Sequence, residues 1–284
     1  MSRPFRLAAT AVALLAALAA ATASATSAAA APAPQHRQLS ALAQTPGTAW
    51  TVDPVTGRTT VTLDDTVTEQ QAARLRDDLR GTAVDLRREP GRLRTMLAGG
   101  DAIYGSTARC SLGANARRGT TYYLITAGHC TNTSADWWTD SAHTIAIGVR
   151  TASSFPSNDF GLIRYTSKLE HPSAVNTYPG LLQLYGTGSA YVGQAVCRSG
   201  ATTGVRCGTV TALNATVNYA EGTVTGLIRT NICAENGDSG GPLYTTGGIL
   251  LGILSGGTGN CTTGGTTYYQ PIGEILSVYG LTIP

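Results

Sequence analysis

Two short segments contain the residues that could perform nucleophilic chemistry. Ser239 lies in the run NGDSGGP at residues 236–242, and His129 lies in the run TAGHC at residues 126–130. A serine hydroxyl is a weak nucleophile at neutral pH unless a base stands beside it. A serine among glycines can also have its backbone N–H groups turned towards one point, as in an oxyanion hole. The segments are 110 positions apart (239 − 129), so only a folded chain brings them together.

A serine–histidine pair usually needs a carboxylate that orients the imidazole and stabilises its charged form. Asp159 is the best candidate after residue 97, because it opens the apolar run FGLI at residues 160–163. A charged group that leads into a buried strand is costly unless it has a partner. Each residue alone has a simpler interpretation: Asp159 could cap a local turn, and His129 could be a satisfied core histidine. Together with Ser239 they predict a catalytic group.

The region from Leu97 onward has the pattern of an all-β domain that could position these residues. Short runs rich in Val, Ile, Thr and Tyr alternate with turns containing Gly and Asn, which predicts a sandwich or barrel. The predicted strands include residues 121–126, 144–150, 160–165, 207–213, 226–230 and 249–255, and residues 272–280 are predicted to form a C-terminal helix.

The preceding segment is charged and has a different pattern. Residues 51–63 predict two short strands around a turn. Thr68 and Gln71 have the spacing of a helix capping box, and a helix continues to Leu79 before Gly81. A second helical stretch is predicted at residues 82–88.

The first thirty residues have the layout of a secretory signal peptide. Arg3 and Arg6 precede an apolar stretch at residues 7–20, and small residues follow. The alternative is a membrane anchor, but a bilayer span needs about 20 apolar residues. We therefore predict a signal peptide at residues 1–30, with no membrane association and a secreted, extracellular product.

All six cysteines follow residue 100, and they are Cys110, Cys130, Cys197, Cys207, Cys233 and Cys261. Cysteines pair in exported proteins, so an even number favours three disulfides, for which 15 pairings are possible. A metal site is the alternative. No C-x-x-C spacing and no second histidine near a cysteine supports it, so no metal and no cofactor are expected.

Charge is distributed unevenly along the chain. Residues 31–96 contain nine arginines and eight acidic residues, whereas residues 97–284 contain nine basic and nine acidic residues. A neutral, charge-poor domain gives no sign of nucleic-acid or membrane-surface binding.

With these motifs in view, the chain resembles the secreted bacterial serine proteases of the chymotrypsin-like superfamily, in the streptogrisin and α-lytic protease group. The resemblance covers residues 97–284 and depends on GGDAIY at 99–104, TAGHC at 126–130, NDFG at 158–161, GDSGGP at 237–242 and SGG at 255–257. The order His, Asp, Ser agrees with that superfamily and not with the subtilisin or α/β-hydrolase orders.

The resemblance implies a role for each site residue. Ser239 would be the nucleophile, His129 the general base and then acid, and Asp159 the group that orients His129. The N–H groups of Gly237 and Ser239 would form the oxyanion hole. The substrate would contact Ala234, Asn236, Ser255, Gly256 and Gly257, with Ser255 also supporting Asp159.

The resemblance also implies features that hold the site. The disulfides would be Cys110–Cys130, Cys197–Cys207 and Cys233–Cys261. Arg198 matches in placement the arginine that neutralises the buried Asp238 in the family, although an exposed surface arginine is the alternative.

The fold and function expected from this resemblance are specific. The fold is all-β, with two six-stranded antiparallel barrels and a short C-terminal helix, preceded by a small α+β propeptide. The product would be a monomeric serine endopeptidase acting on protein and peptide substrates through an acyl-enzyme. Residues 1–30 would be the signal, 31–96 the propeptide and 97–284 the mature domain, with processing at Met96–Leu97.

Three features predict a preference for large apolar or aromatic residues before the cut. Gly256 and Gly257 leave the primary pocket open, and the neutral Ala234 stands at its expected base. Leu254 occupies the position at which the glutamate-specific branch of the family has a histidine. Glu235 and Asn236 lie near the rim.

Three other functions are alternatives to a protease. A secreted β-domain that binds without cutting would keep the fold, and a serine esterase would use the same chemistry on another bond. No G-x-S-x-G elbow supports an esterase, and no H-E-x-x-H spacing supports a metalloenzyme. Residues 31–96 could alternatively be a linker or an interaction domain rather than a propeptide.

Overall fold

The computed structural model describes residues 45–93 and 96–284, and the predicted signal peptide lies outside these residues. The chain divides into two compact units, one ending at Leu93 and the other containing everything from Met96 onward. Within the described residues, no helix is long and apolar enough to span a membrane.

The first unit is a small α+β domain. Its elements are Thr48–Val52 (β1), Thr59–Leu63 (β2), Glu69–Asp78 (α1) and Val84–Arg88 (β3). Two predicted features are confirmed here. Asp53 closes the turn between β1 and β2 by accepting from the N–H groups of Val55 and Thr56, both at 2.8 Å. Thr68 and Gln71 form the capping box of α1.

The prediction of a helix at residues 82–88 was wrong, because Val84–Arg88 is a strand. It pairs in parallel with β2, from Thr59 opposite Val84 to Leu63 opposite Arg88. Val84 and Leu86 alternate along it and both pack against the apolar cluster under α1. A stretch of five residues is too short to show its period, so this tertiary contact decides its conformation.

The second unit begins with an antiparallel sheet that closes into a barrel. Its strands are Ala102–Tyr104 (β4), Arg109–Ser111 (β5), Ala114–Arg118 (β6), Thr121–Thr126 (β7), Asp136–Trp138 (β8), Ala146–Ser154 (β9) and Phe160–Tyr165 (β10). Their order is β5-β4-β8-β9-β10-β7-β6. Only Leu112 and Gly113 separate β5 from β6, so one bent segment joins both edges of the sheet. Counted as one strand, it gives the six strands expected.

The second sheet closes in the same way. Its strands are Gly186–Thr187 (β13), Ala195–Gly200 (β14), Gly204–Tyr219 (β15), Gly222–Thr230 (β16), Pro242–Tyr244 (β17), Ile249–Asn260 (β18) and Gly264–Pro271 (β19), after the separate hairpin of Ala174–Asn176 (β11) and Leu181–Gln183 (β12). Six of them form an antiparallel ring in the order β18-β17-β14-β15-β16-β19, which closes through β18–β19, and β13 adds in parallel to β18.

The apolar core of the second unit consists of three clusters. One apolar cluster fills each barrel, and a third lies between the barrels and packs against the C-terminal helix, Ile272–Tyr279 (α3). Gly280 ends this helix in the left-handed conformation, with a φ of 61°. The predicted all-β fold with a C-terminal helix is confirmed, and the candidate catalytic residues come from the edges where the barrels meet.

Three disulfides staple the second unit. They join Cys110 to Cys130, Cys197 to Cys207 and Cys233 to Cys261, as the family resemblance implied. The first ties β5 to the segment that contains His129. The third ties the chain just before the Ser239 loop to the end of β18.

Candidate active site

His129 lies in a single helical turn, Gly128–Thr131 (α2), directly after β7. Gly128 permits this turn to sit against the neighbouring strands, because a Cβ there would collide with the carbonyl oxygen of Ser154 and would lie 2.9 Å from the nitrogen of Phe160. The imidazole is about one third exposed, with a side-chain accessibility of 32%. The ring is therefore partly accessible to solvent.

Asp159 holds His129 by two hydrogen bonds. Its Oδ2 lies 2.8 Å from His129 Nδ1, and its Oδ1 accepts from the backbone N–H of His129 at 2.8 Å. Asp159 is fully buried at the start of β10. A buried carboxylate beside Nδ1 requires that nitrogen to carry the proton, which leaves Nε2 as the basic atom.

Ser255 and Tyr219 extend this network on the side of the second barrel. Ser255 Oγ donates to Asp159 Oδ2 at 2.6 Å and lies 3.1 Å from the hydroxyl of Tyr219. Because the single hydroxyl proton of Ser255 goes to Asp159, Tyr219 must donate to Ser255. Burial raises the pKa of Tyr219, so the phenol keeps the proton that this donation needs.

Gln270 supports Asp159 from behind and was not found by the sequence analysis. Its Oε1 accepts from the backbone N–H of Asp159 at 2.9 Å, and its Nε2 donates to Glu274 at 2.7 Å. Gln270 and Asp159 are 111 positions apart, and Gln270 is fully buried. No local pattern marks either Gln270 or Tyr219, because their roles depend on the pairing of distant strands.

The loop that contains Ser239 is held against the His129 segment. The carbonyl of Ser239 accepts from the backbone N–H of Ser111 at 2.8 Å, and Gly240 donates to the carbonyl of Leu254 at 2.8 Å. A Cβ on Gly240 would lie 2.9 Å from the nitrogen of Ala127, two residues before His129. The structure therefore brings together the backbones of the two segments that the sequence analysis paired.

The side chains of Ser239 and His129 are not hydrogen-bonded to each other within the described residues. Hydrogen bonds of this kind are often long or poorly aligned when no substrate is bound.

The backbone N–H groups of Gly237 and Ser239 donate no hydrogen bond to another group within the described residues. Gly237 adopts a φ of 95°, and its carbonyl accepts from Ser111 Oγ at 2.8 Å, which fixes this peptide with the carbonyl turned inward.

Arg198 and Asp238 form a buried ion pair beneath this loop. Arg198 Nη2 lies 3.2 Å from Asp238 Oδ2, and both side chains are completely buried. Asp238 also accepts from the N–H groups of Thr202, Thr203 and Glu235 at 2.9–3.1 Å. Burial lowers the pKa of Arg198 and the charge of Asp238 raises it. The pair fixes the residue adjacent to Ser239.

The residues expected to line the primary pocket lie on two neighbouring segments. Ser255 is 3% exposed, and Gly256 and Gly257 continue β18 opposite Tyr268 and Thr267. Ala234 packs against the core of the second barrel, and Asn236 is exposed, with its carbonyl accepting from Thr202. A Cβ on Gly256 would lie 2.7 Å from the hydroxyl of Tyr219, so a side chain at this position would require Tyr219 to move.

A pocket of about 650 Å³ adjoins the imidazole of His129. Its walls are formed by residues of both barrels, namely His129, Asn132, Thr133, Phe155, Pro156, Asp159, Tyr219, Glu221 and Ser255. The tip of the β15–β16 hairpin is held here, because Ser157 donates to the carbonyl of Thr223 at 2.8 Å.

One group of potential metal ligands occurs in the described residues, and it consists of Cys110, His129 and Cys130. The two cysteines are joined in a disulfide, so neither can bind a metal as a thiolate. These atoms form part of the packing around His129.

Comparisons with known proteins agree with this geometry. The trypsin family matches residues 119–278, and the α-lytic protease prodomain matches residues 35–82. Streptogrisin-D of Streptomyces griseus is 49% identical over 249 residues, which cover 86% of this chain and 63% of that protein. This chain therefore spans less than two thirds of streptogrisin-D. Streptogrisin-A of the same organism is 48% identical over 85% of this chain and 80% of its own length.

Solved structures show the same relationship. A glutamic acid specific serine protease is 45% identical, with a TM-score of 0.64, over 66% of this chain and 100% of its own. The chymotrypsin of Cellulomonas bogoriensis is 47% identical, with a TM-score of 0.60, over 66% of this chain and 98% of its own. The chain therefore belongs to the chymotrypsin-like serine proteases of the streptogrisin and α-lytic protease family, with an α-lytic protease prodomain ahead of the protease domain.

Proposed function

We propose that the protein is a secreted serine endopeptidase in which Ser239 is the nucleophile, His129 the general base and then acid, and Asp159 the residue that orients His129. The observation that carries this proposal is the pair of 2.8 Å contacts that hold the ring and the backbone of His129 on one buried carboxylate. This arrangement leaves Nε2 as the basic atom of the ring, where it lies 3.6 Å from the sulfur of Cys130.

The proposed reaction assigns one role to each of these three residues. As Ser239 Oγ attacks the peptide carbonyl, its proton moves to His129 Nε2, and the imidazolium that forms is stabilised by Asp159. His129 then gives this proton to the leaving amine, and the C–N bond breaks to leave an ester on Ser239. A water molecule, deprotonated by His129, hydrolyses the ester and restores the serine.

The oxyanion of each tetrahedral intermediate would be bound by the N–H groups of Gly237 and Ser239. Both N–H groups are unpartnered in the described protein, and the conformation of Gly237 is fixed from its carbonyl side by Ser111. Donors that are already in place need no reorganisation during the reaction, and one such donor is worth about 3–4 kcal/mol in related chemistry.

The primary pocket is proposed to accept large apolar or aromatic side chains. Gly256 and Gly257 add no side chain to its wall, and Ala234 at its base is uncharged. The relative named as glutamic acid specific is described as using a histidine triad in substrate binding. The family resemblance places Leu254 where the glutamate-specific branch has a histidine, and Leu254 is 1% exposed in the core of the second barrel.

The organisation of the precursor is also a proposal. Residues 1–30 would be the signal peptide, 31–96 the propeptide and 97–284 the mature protease. The prodomain match at residues 35–82 and the change of compact unit after Leu93 support the middle boundary. Met96 is 55% exposed and apolar, which suits cleavage after it by an enzyme with the proposed pocket. The mature chain would act as a monomer, without a cofactor, on protein and peptide substrates.

The deciding experiment is cleavage of a succinyl-Ala-Ala-Pro-Phe anilide by the purified secreted form, with and without a serine-directed phosphonylating reagent. We expect activity that the reagent abolishes, with the label on Ser239. The Ser239→Ala variant should be neither active nor labelled, whereas Ser255→Ala should still be labelled, more slowly. Labelling of Ser239 without cleavage of the Phe anilide would contradict the proposed apolar specificity and leave the protease function in place.

Two further outcomes bear on the rival functions and on maturation. Folded, processed protein that shows neither activity nor labelling would favour a binding domain that does not cut, and faster turnover of esters with no peptide cleavage would favour an esterase. N-terminal sequencing of Ser239→Ala, made in a host lacking other proteases, tests self-processing at Met96–Leu97. Normal processing of that variant would refute self-cleavage.

A further inference from the structure

The pocket beside His129 contains an acidic group that the proposed catalytic cycle does not use. Among the lining residues, Asp159 is buried and bonded to His129, whereas Glu221 is exposed at the turn between β15 and β16. Glu221 makes no ion pair or side-chain hydrogen bond within the described residues. No lysine or arginine lines the pocket.

The walls near Glu221 are largely apolar. Phe155 and Tyr219 contribute aromatic rings, and Pro156 lies beside them against Gly222, the residue after Glu221. The negative charge of Glu221 is the smallest of the causes that raise the pKa of Tyr219, after burial and the effects of Asp159 and Tyr268. The site thus combines apolar walls with one unpaired carboxylate at its rim.

The geometry of an extended substrate decides which of its residues enters this pocket. Successive side chains of an extended peptide point to opposite sides. If the residue before the cut enters the site formed by Ser255, Gly256 and Gly257, the side chain of the residue preceding it points away from that site. The pocket that contains Glu221 adjoins that site through Ser255 and is also lined by His129, so it is the neighbouring concave surface available to this second residue.

We propose that Glu221 makes this pocket selective for substrates with lysine or arginine at the second residue before the cut. The apolar stem of such a side chain packs against Phe155 and Tyr219 while its cationic end reaches the carboxylate at the rim. Acidic side chains are disfavoured because they would place two negative charges together. This inference rests on the proposed protease function and adds a second, charge-based determinant to the apolar primary pocket.

The test is a series of acetyl-Ala-Ala-Xaa-Phe anilides in which Xaa is lysine, norleucine or glutamate. Norleucine keeps the stem of lysine and lacks the ammonium group. The ratio of kcat/KM for lysine over norleucine should fall about 1.5- to 5-fold in Glu221→Gln, as expected for one solvent-exposed ion pair. It should also fall in the wild type at about 1 M salt, where the screening length is about 3 Å.

Asp136→Asn is the matched control, because it removes the same charge from an exposed side chain that does not line the pocket. It should leave the ratio unchanged. Glu221→Lys should reverse the order of lysine and glutamate, which gives a second measurement that does not depend on the behaviour of Glu221→Gln.

Two results would overturn the inference while leaving the protease function intact. One is an equal ratio in the wild type and Glu221→Gln, and the other is an equal shift in Asp136→Asn, which would indicate a long-range field rather than a subsite. Absence of turnover for every member of the series, and for the succinyl-Ala-Ala-Pro-Phe reference, would overturn both proposals.

Discussion

Ser255 and Asp159 are joined across 96 positions of sequence by a 2.6 Å hydrogen bond from Ser255 Oγ to Asp159 Oδ2. The same oxygen faces His129 Nδ1 at 2.8 Å. The second barrel, through β18, therefore helps to place a carboxylate that belongs to the first. The alignment of the two barrels is thereby coupled to the orientation of His129.

Replacing Asp159 with asparagine should lower kcat by about 10⁴-fold with the structure retained. The amide cannot stabilise the imidazolium, and it can leave His129 with the proton on the wrong nitrogen. Turnover of the Phe anilide measures the effect, and circular dichroism checks the fold. A loss of less than 10-fold, in folded protein, would show that Asp159 does not have the proposed role.

Ser255→Ala should lower kcat by about 10- to 100-fold, because a hydrogen bond to a charged group is worth about 1.5–3 kcal/mol. Tyr219→Phe removes only the neutral bond to Ser255 and should cost less. The order Asp159→Asn, Ser255→Ala, Tyr219→Phe in decreasing severity is the expected outcome. An unchanged kcat in Ser255→Ala would contradict the coupling between the barrels.

Arg198→Met should destabilise the protease unit by about 3–5 kcal/mol, because it leaves the fully buried Asp238 without its cation. Urea unfolding in a Ser239→Ala background measures this loss without self-digestion. Arg206 lies opposite Arg198 on the neighbouring strand and is exposed, so Arg206→Met is the matched control. Its change should stay within about 0.5 kcal/mol. Equal effects of the two substitutions would argue against a special role for the buried pair.

Gly240→Ala should cost at least about 2 kcal/mol and abolish activity, because Gly240 has a φ of 84° and a Cβ would lie 2.6 Å from the carbonyl oxygen of Ser111. Gly273, in contrast, is a position at which alanine should be favourable. It is exposed in α3 and has nothing within 4 Å of the Cβ position, so Gly273→Ala should stabilise the protein by about 0.5 kcal/mol. Thermal unfolding of both variants checks the contrast, and tolerance of alanine at position 240 would refute the packing argument.

Stability should decline at alkaline pH, with Tyr269 as one source. Burial raises the pKa of Tyr269 from 10.0 to about 12. The unfolded state therefore loses this proton first, so the contribution is complete below pH 10 and is lost as the pH rises towards 12. Tyr269→Phe should reduce the slope of the free energy of unfolding by up to about 1.4 kcal/mol per pH unit in this range. Urea unfolding at pH 9, 10 and 11 measures the slope, and an unchanged slope would exclude Tyr269 as a source.

Local sequence was sufficient for many of the elements and for naming the candidate reactive residues. The predicted strand at residues 121–126 and the predicted helix that begins at Ile272 coincide with β7 and α3. Thr68 and Gln71 form the expected cap. These features depend on residues within one or two turns of each other, where periodicity and capping act directly. His129, Asp159 and Ser239 could be named because their motifs are short and contiguous.

Only the tertiary structure decided which distant groups meet. The closure of each sheet, the strand conformation of residues 84–88, the support of Asp159 by Gln270, and the placement of Glu221 beside His129 all depend on strand pairing and on packing between elements. A shift of one residue in the register of a strand moves every side chain to the opposite face. The neighbours of a side chain are therefore properties of the assembled barrels, whereas the chemistry of the side chain itself is already present in the sequence.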